Sequence, residues 1–459
     1  MLRQFIASFG VLGTLAVLLG ACAVVDQYSG RAVVYNLQAE QAQEQALLLN
    51  IVRASLRRPM QFTGLQSITG TASASASIGP SGSSTKNDPF VSAFHLIPPS
   101  SSTIISGVVT NTLGGSASVS GGPTFSVPVL DTQEFYRGFL TPVSGQLLDL
   151  YLQYGYPRDV LFNVTIEKII IKRLDGECGP EVHLPQCEIT IRNYVPEDVS
   201  LELFQGILGY LIRLGLNTEP IAAASEKSQK SAADTQSDAP RPFGFCFSPK
   251  DPATYREINR HVLCGHPAAS LELKASEIGR RSLITGVPLR KAFVDQLYLE
   301  SVAPRLEGEE ADVRAKGFRD LRAFGGKRVS ISFYTRSIEG ILYYLGEIVR
   351  RSTHPEPGQS VRRVQVRVGP PQNPFPLKSC PFEGTIDGYR CTDLFVVEEG
   401  GIDPNGISVD YGGVSYSISS NTSGSWTMPV FDVVKQLQAV NTSAKQLPAS
   451  NLISVLSNN

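Results

Sequence analysis

The stretch VLFNVTIEKIIIK, residues 160–172, sets the fold class together with the segment after it. Val164 and Ile166, then Ile169 and Ile171, alternate with intervening residues, with a phase change near Lys168. Period-two alternation rich in β-branched residues predicts a strand over 160–172. EITIRNYV, residues 188–195, predicts a second strand, and the Gly and Pro residues between Cys178 and Cys187 make the two a hairpin. Pro196-Glu197-Asp198 then opens a helix that runs through Leu214 and stops at Gly215.

Upstream, 131–154 reads as two helices. Asp131 or Thr132 caps the first, and Pro142 sits in the opening turn of the second. The apolar positions of the second are Leu147, Leu148, Leu150, Tyr151 and Tyr154. Helices and a hairpin in this order make an α+β unit.

A second mixed unit begins at residue 329. Val329 to Tyr334 is a strand, and Ser337 caps a helix from Ile338 to Arg351 whose buried face is Ile341, Leu342, Leu345, Ile348 and Val349. Strands come next at 361–368, 392–397 and 407–418, with turns at Gly400-Gly401 and Gly412-Gly413. Pro429, with Thr427 as cap, opens a last helix to Val440.

Outside these modules the composition shifts. Residues 36–57 read as an amphipathic helix with Ala39, Ala42, Ala46, Leu49, Val52 and Leu56 on one face, ended by Pro59. Arg53, Arg57 and Arg58 make its end basic, which suits the helix dipole and offers charge to lipid headgroups. Residues 68–130 are rich in Ser, Gly, Ala and Thr. Positions 71–78 and 116–120 alternate strictly, and 103–109 are β-prone. Residues 222–242 read as a polar linker, 243–328 as an intermediate region, and 307–312 as an acidic loop. The expected fold is therefore α+β. It has two small mixed modules at 131–221 and 329–459, a small-residue β segment at 68–130, and a helix within 22–67.

The first residues carry an address. Arg3 precedes an apolar run from Phe5 to Leu19, too short to span a bilayer, and small residues lead to Cys22. Leu19-Gly20-Ala21-Cys22 resembles the lipobox of bacterial lipoproteins. The resemblance implies a signal peptide over 1–21, cleavage between Ala21 and Cys22, and acyl chains on Cys22. More than one acyl chain makes such anchoring stable. The residue after Cys22 is Ala23, not aspartate, which in that class implies the outer membrane with the chain mainly in the periplasm.

Formal net charge is -1, so bulk electrostatics make no case for nucleic acid. Besides Cys22 there are Cys178, Cys187, Cys246, Cys264, Cys380 and Cys391, an even set in local couples. An exported chain keeps disulfides, and the simplest scheme is 178–187, 246–264 and 380–391. Zinc is the alternative, since His261, Cys264 and His266 lie close with Cys246 upstream, but no CxxC occurs.

No GxSxG, Walker A or HExxH is present, and Ser83-Ser84-Thr85-Lys86 fits SxxK without partner motifs. The remaining histidines are His95, His183 and His354. Tyr343, Tyr344 and Trp426 are candidates for a pocket that core packing explains as well. No catalytic, cofactor or metal residue is expected. The first functional expectation is a non-catalytic lipid-anchored periplasmic scaffold or assembly protein, held by outer-membrane lipid and by envelope proteins or self-association. The second is a subunit of an oligomeric outer-membrane pore with residues 68–130 as membrane strands. The third is an envelope enzyme acting on glycan or lipid.

Overall fold

The computed structural model describes residues 33–34, 36–63, 67–78, 108–110, 115–126, 133–176, 178, 185–220, 243–258, 260–265, 282–302, 309–355, 361–368, 385–386, 389–401, 403, 405–420 and 424–441. The expected signal peptide with Cys22, the expected linker at 222–242, His95, His183, His266, Cys380 and the SxxK residues lie outside them.

In chain order the elements are α1 (36–55), β1 (Ser67–Ile78), β2 (Val108–Thr110), β3 (Gly115–Ser126), α2 (Gln133–Phe139), α3 (Gly145–Gln153), α4 (Arg158–Thr165), β4 (Ile166–Arg173) and β5 (Glu188–Arg192). Next come α5 (Asp198–Arg213), β6 (Leu216–Pro220), β7 (Phe243–Phe247), α6 (Pro252–Glu257), β8 (Ser282–Leu289), α7 (Lys291–Val302), α8 (Glu309–Arg322) and β9 (Lys327–Thr335). The last are α9 (Ile338–Thr353), β10 (Gln365–Val368), β11 (Thr385–Ile386), β12 (Tyr389–Asp393), β13 (Glu398–Glu399), β14 (Ile407–Tyr411), β15 (Val414–Ile418) and α10 (Thr427–Asn441). The class is α+β, with antiparallel strand pairs.

The chain forms two units. The first comprises Met1–Asn50, Gln61–Asp131 and Ile407–Ser415, and the second Ile51–Met60, Thr132–Gly406 and Tyr416–Asn459. In the first, Asn50 closes a two-way bond with Gln61, donating from Nδ2 to its carbonyl at 2.8 Å and accepting its N–H at 2.9 Å. Gln45 Nε2 donates to the Ser408 carbonyl at 3.2 Å, tying β14 to α1. Its three-stranded sheet has the order β1-β3-β2.

The second unit is built on a four-stranded sheet of order β5-β4-β9-β8. One face carries continuous apolar rows. Ile191 faces Ile169, which faces Phe333; Ile189 faces Ile171, which faces Ile331, which faces Ile284. Phe204, Ile207, Leu208 and Leu211 of α5, Phe293 of α7 and Phe318 and Leu321 of α8 belong to the same core. The α5 helix runs as expected, with Gly215 at φ 96 immediately past its end. A Cβ on Gly215 would collide with the Ser248 carbonyl, so only glycine fits this close, left-handed turn.

This sheet corrects the modular expectation. β4 and β5 come from the first expected module, β8 from the intermediate region, and β9 from the second module, yet they share one core. Each strand has an apolar row that only the next strand's row completes, so the segments do not form separate cores.

Several local readings also change. Residues 160–165 are helical, not extended. Pro157 precedes the helix, Asp159 lies in its first turn, and Val160 through Thr165 are all buried. Continuous burial gives no period by which helix and strand could be told apart. The phase change near Lys168 is real: the β4·β9 register shifts between Ile166 and Lys168. The second helix of the early pair begins after Ser144, whose Oγ accepts the Leu147 N–H at 3.4 Å, while Pro142 bridges Ser337. Leu150 and Tyr154 are exposed. In α1 the buried residues are Leu47, Leu48, Asn50, Ile51, Val52, Ala54 and Ser55, whereas of the expected alanines Ala42 is exposed and Ala39 and Ala46 are only half-buried. The expected acidic loop is helical from Glu309, where carboxylates suit the positive end of α8. Of the stretch 392–397 only Thr392 and Asp393 are extended, as the end of β12, and 394–397 connect it to β13.

Candidate membrane interface

The β1–β3 pair is a ladder of twelve consecutive antiparallel partners with no bulge, from Ser67 opposite Ser126 to Ile78 opposite Gly115. Its register sorts residue types completely. Ile68, Gly70, Ala72, Ala74, Ala76 and Ile78 pair with Phe125, Pro123, Gly121, Val119, Ala117 and Gly115. Ser67, Thr69, Thr71, Ser73, Ser75 and Ser77 pair with Ser126, Thr124, Gly122, Ser120, Ser118 and Ser116. Directly opposed residues share a face of a sheet, and successive residues alternate faces. One set therefore holds no polar residue type, and the other is all Ser and Thr but for Gly122. Neither strand contains Asp, Glu, Lys, Arg or His.

Alternation within either strand is visible in the sequence. That the two alternations are in phase is a property of the register. A slip of one residue would set hydroxyl residues opposite apolar ones along most of the ladder and mix the faces. At about 3.4 Å per residue, twelve residues span roughly 40 Å. Tilted by about 45°, this crosses roughly 30 Å, the thickness of a bilayer's hydrocarbon core. β1 begins and β3 ends at the same end of the ladder, so the chain enters and leaves on one side. β2 pairs only with Ser116–Ser118, near the opposite end.

At the start of this unit, Val33, Val34 and Leu37 are exposed. The basic end of α1 lies in the other unit. There Arg57 Nε stands 3.9 Å from a Glu347 carboxylate oxygen, with most of the arginine side chain in solvent.

Two polar centres lie among the described residues of the second unit. Arg336, between β9 and the Ser337 cap of α9, is buried. Its Nη1 donates to the carbonyls of Val164 at 2.9 Å and Ile166 at 2.8 Å, and its Nη2 to that of Asn193 at 2.7 Å. Its guanidinium lies 3.8 Å from the centre of the Tyr344 ring. The first two carbonyls lie at the end of α4, where a helix leaves acceptors unpaired and its dipole favours a cation. Asn193 Nδ2 adds bonds to the carbonyls of Asn163 at 2.7 Å and Ile166 at 3.0 Å. Burial lowers the Arg336 pKa to about 10, so it stays charged at neutral pH. These residues weld a helix-to-strand junction. The only cue in sequence is a charged residue wedged between an apolar strand and a helix cap.

The other centre is at the cysteines. Cys178–Cys187 closes the loop between β4 and β5, and Cys246–Cys264 ties β7 to the chain after α6. Cys391 is disulfide-bonded as well. Glu219 on β6 stands beside the second bridge: its carboxylate oxygen and the two sulfurs lie within 4.8 Å of one another. With both sulfurs in a disulfide, the zinc alternative lacks its thiolates. Glu219 accepts the Gly265 N–H at 2.5 Å. Burial raises its pKa; the Gly265 bond opposes this and the nearby Asp149 charge adds to it.

The aromatic candidates separate. Tyr344 is buried over Arg336, Tyr343 is exposed, and Trp426 Nε1 donates to Thr392 Oγ1 at 3.0 Å. His354 Nδ1 lies 3.1 Å from a Glu399 carboxylate oxygen. Among the described residues no helix is long and apolar enough to cross a membrane.

No family of known proteins, no curated protein and no solved structure matches the chain.

Proposed function

We propose that this chain is a lipid-anchored subunit of an oligomeric outer-membrane pore, with β1 and β3 as its membrane strands and the second unit as its periplasmic body. The observation that carries this reading is the in-phase register of β1 and β3. It gives the pair one face without polar residues, suited to acyl chains, and one of hydroxyls, suited to a wet lumen, as barrel strands require. Strand length and the absence of charge support it. The lipobox-like stretch ending in Cys22 supports the same location. An isolated pair leaves edge N–H and C=O groups unpaired, which the bilayer core does not tolerate, so further strands must come from other copies. Bacterial single-chain barrels begin at about eight strands, which sets a floor of about four copies.

The sequence alone ranks a scaffold first. The register of β1 and β3 is what favours the pore over it. The scaffold reading keeps one specific support, the exposed Tyr136 and Leu140 on and just after α2 and Leu150 and Tyr154 on and just after α3, large apolar side chains suited to a protein partner.

The test compares the purified lipidated protein with a form lacking Gly70–Gly122 in planar bilayers. The intact protein gives stepwise conductance and a detergent-stable oligomer. The deletion gives neither, yet keeps the cooperative unfolding of the second unit. An intact protein that binds vesicles through its lipid without conductance, and whose hairpin is cut by external protease, overturns the pore and leaves the scaffold.

A further inference from the structure

The two described disulfides are not alike. Cys178 and Cys187 are both buried. In the other bridge Cys246 is buried on β7, opposite Asn217 of β6, while Cys264 is half-buried. Among the described residues, this second bridge has a carboxylate against it. Glu219 lies two residues beyond Asn217 along β6, and its carboxylate oxygen is within 4.8 Å of both sulfurs, a span that one water molecule can bridge.

The carboxylate is also held in place. It accepts the N–H of Gly265, the residue after Cys264, and the Cys264 N–H in turn donates to the Phe247 carbonyl at 2.9 Å. The backbone that positions Cys264, the less buried cysteine of the pair, therefore positions the carboxylate too. Asp149, which accepts from Thr218 Oγ1 at 3.4 Å and from Gln153 Nε2 at 2.6 Å, adds negative charge nearby. Burial raises the Glu219 pKa, the Gly265 N–H bond opposes that rise and the Asp149 charge adds to it, so the net shift is toward the protonated form. A bridge that serves only as a staple gains nothing from a carboxyl group beside it. One that opens and closes gains a proton donor for the sulfur that leaves.

We propose that Cys246–Cys264 is an exchangeable disulfide, a thiol–disulfide redox site at which Glu219 supplies the proton. Its co-reactant is a dithiol, of a protein or a small molecule. One thiolate of the dithiol attacks the Sγ of Cys264, the less buried cysteine of the pair. A mixed disulfide forms, the Cys246–Cys264 bond breaks, and its electron pair leaves on Cys246 Sγ. Glu219 protonates that sulfur, directly or through one water. The second thiol of the dithiol then attacks the mixed disulfide and releases the Cys264 thiolate, which takes a proton from solvent. Two electrons pass from the dithiol, now a cyclic disulfide, to the protein, now a pair of cysteines. This site is independent of the membrane reading and would stand if that reading failed.

The test is a time course of reduction by dithiothreitol on the full-length purified protein. Free thiols are trapped with a maleimide and located by peptide mapping. Cys246 and Cys264 are expected to become free at least tenfold faster than Cys178 and Cys187. Accessibility alone would produce that difference, so the deciding measurement is on Glu219→Gln. Positioned general acids contribute on the order of a hundredfold or more. The variant is therefore expected to slow opening of 246–264 at least tenfold while leaving the 178–187 rate unchanged. Glu219→Asp, which keeps a proton donor on a shorter arm, is expected to fall between, and it carries the test if the glutamine variant does not fold. Equal rates for the two bridges, or a 246–264 rate unchanged in both Glu219 variants, overturns the proposal.

Discussion

Replacing Arg336 with methionine removes one buried cation and asks what it holds together. The side chain's length and much of its volume are kept, so packing changes little. What is lost is the donor set. Ile166 O retains a bond from Asn193 Nδ2, so it is not orphaned. The carbonyls of Val164 and Asn193 lose the guanidinium bonds at 2.9 and 2.7 Å. A buried acceptor left without a partner costs about 1–3 kcal/mol, so the two cost about 2–6. The stack on Tyr344 adds about 2 kcal/mol where it is desolvated. Against this, methionine avoids burying a charge, which offsets several kcal/mol. The net expectation is a loss of about 2–4 kcal/mol, or roughly 4–16 °C in melting temperature at about 2–4 °C per kcal/mol for a domain of this size. Arg336→Lys keeps the charge but not the planar fork, and should lose nearly as much. Urea unfolding followed by circular dichroism measures both. Variants within about 0.5 kcal/mol of the parent, the usual range for surface changes, would show that the α4–β4 junction does not depend on this side chain.

Gly346→Ala places a Cβ 2.7 Å from the Ala54 Cβ and 2.8 Å from its carbonyl carbon, so α9 must move off the end of α1. The expected cost is about 1–3 kcal/mol of unfolding free energy, and an unchanged urea midpoint would mean that the helices separate freely. Asp403 accepts from the N–H groups of Ser420 and Asn405 and from the hydroxyls of Ser419 and Ser420, which lower its pKa to about 2. Its folded value lies below its unfolded one, so its contribution is present above about pH 4 and is lost as pH falls toward 2. Asp403→Asn should flatten that part of the stability curve, and an acid limb identical to the parent's would refute the assignment. Cys22→Ser should abolish fatty-acid labelling and the processing step before residue 22; equal labelling of both forms would show that the lipobox likeness is accidental.

Much of the fold is legible where apolar and polar residue types alternate with a clear period or a cap marks the boundary. The Ser337 cap and α9, the α5 helix ending before Gly215, and the strands around Ile169, Ile331 and Ile407 follow from period and capping alone. Residues 160–165 fail for the opposite reason: a segment buried on every side carries no period. The polar centres were not legible. Arg336 acts on carbonyls about 140–170 positions away in the chain, and backbone acceptors carry no residue-type signature. Glu219 meets sulfurs from β7 and from the loop after α6 only because β6 and β7 pair.

By itself the sequence determined the α+β class, the lipobox-like start with Cys22, and the local pairing of Cys178 with Cys187 and Cys246 with Cys264. Each of these rests on residues close together in the chain, where capping, period and short loop closure act. Tertiary structure alone decided that strands from three expected segments share one sheet, and that the small-residue strands pair in phase. Both depend on which distant strand lies alongside. Register is a relation between two segments, written in neither one, and a shift of a single residue would have exchanged the apolar and hydroxyl faces of the partner strand.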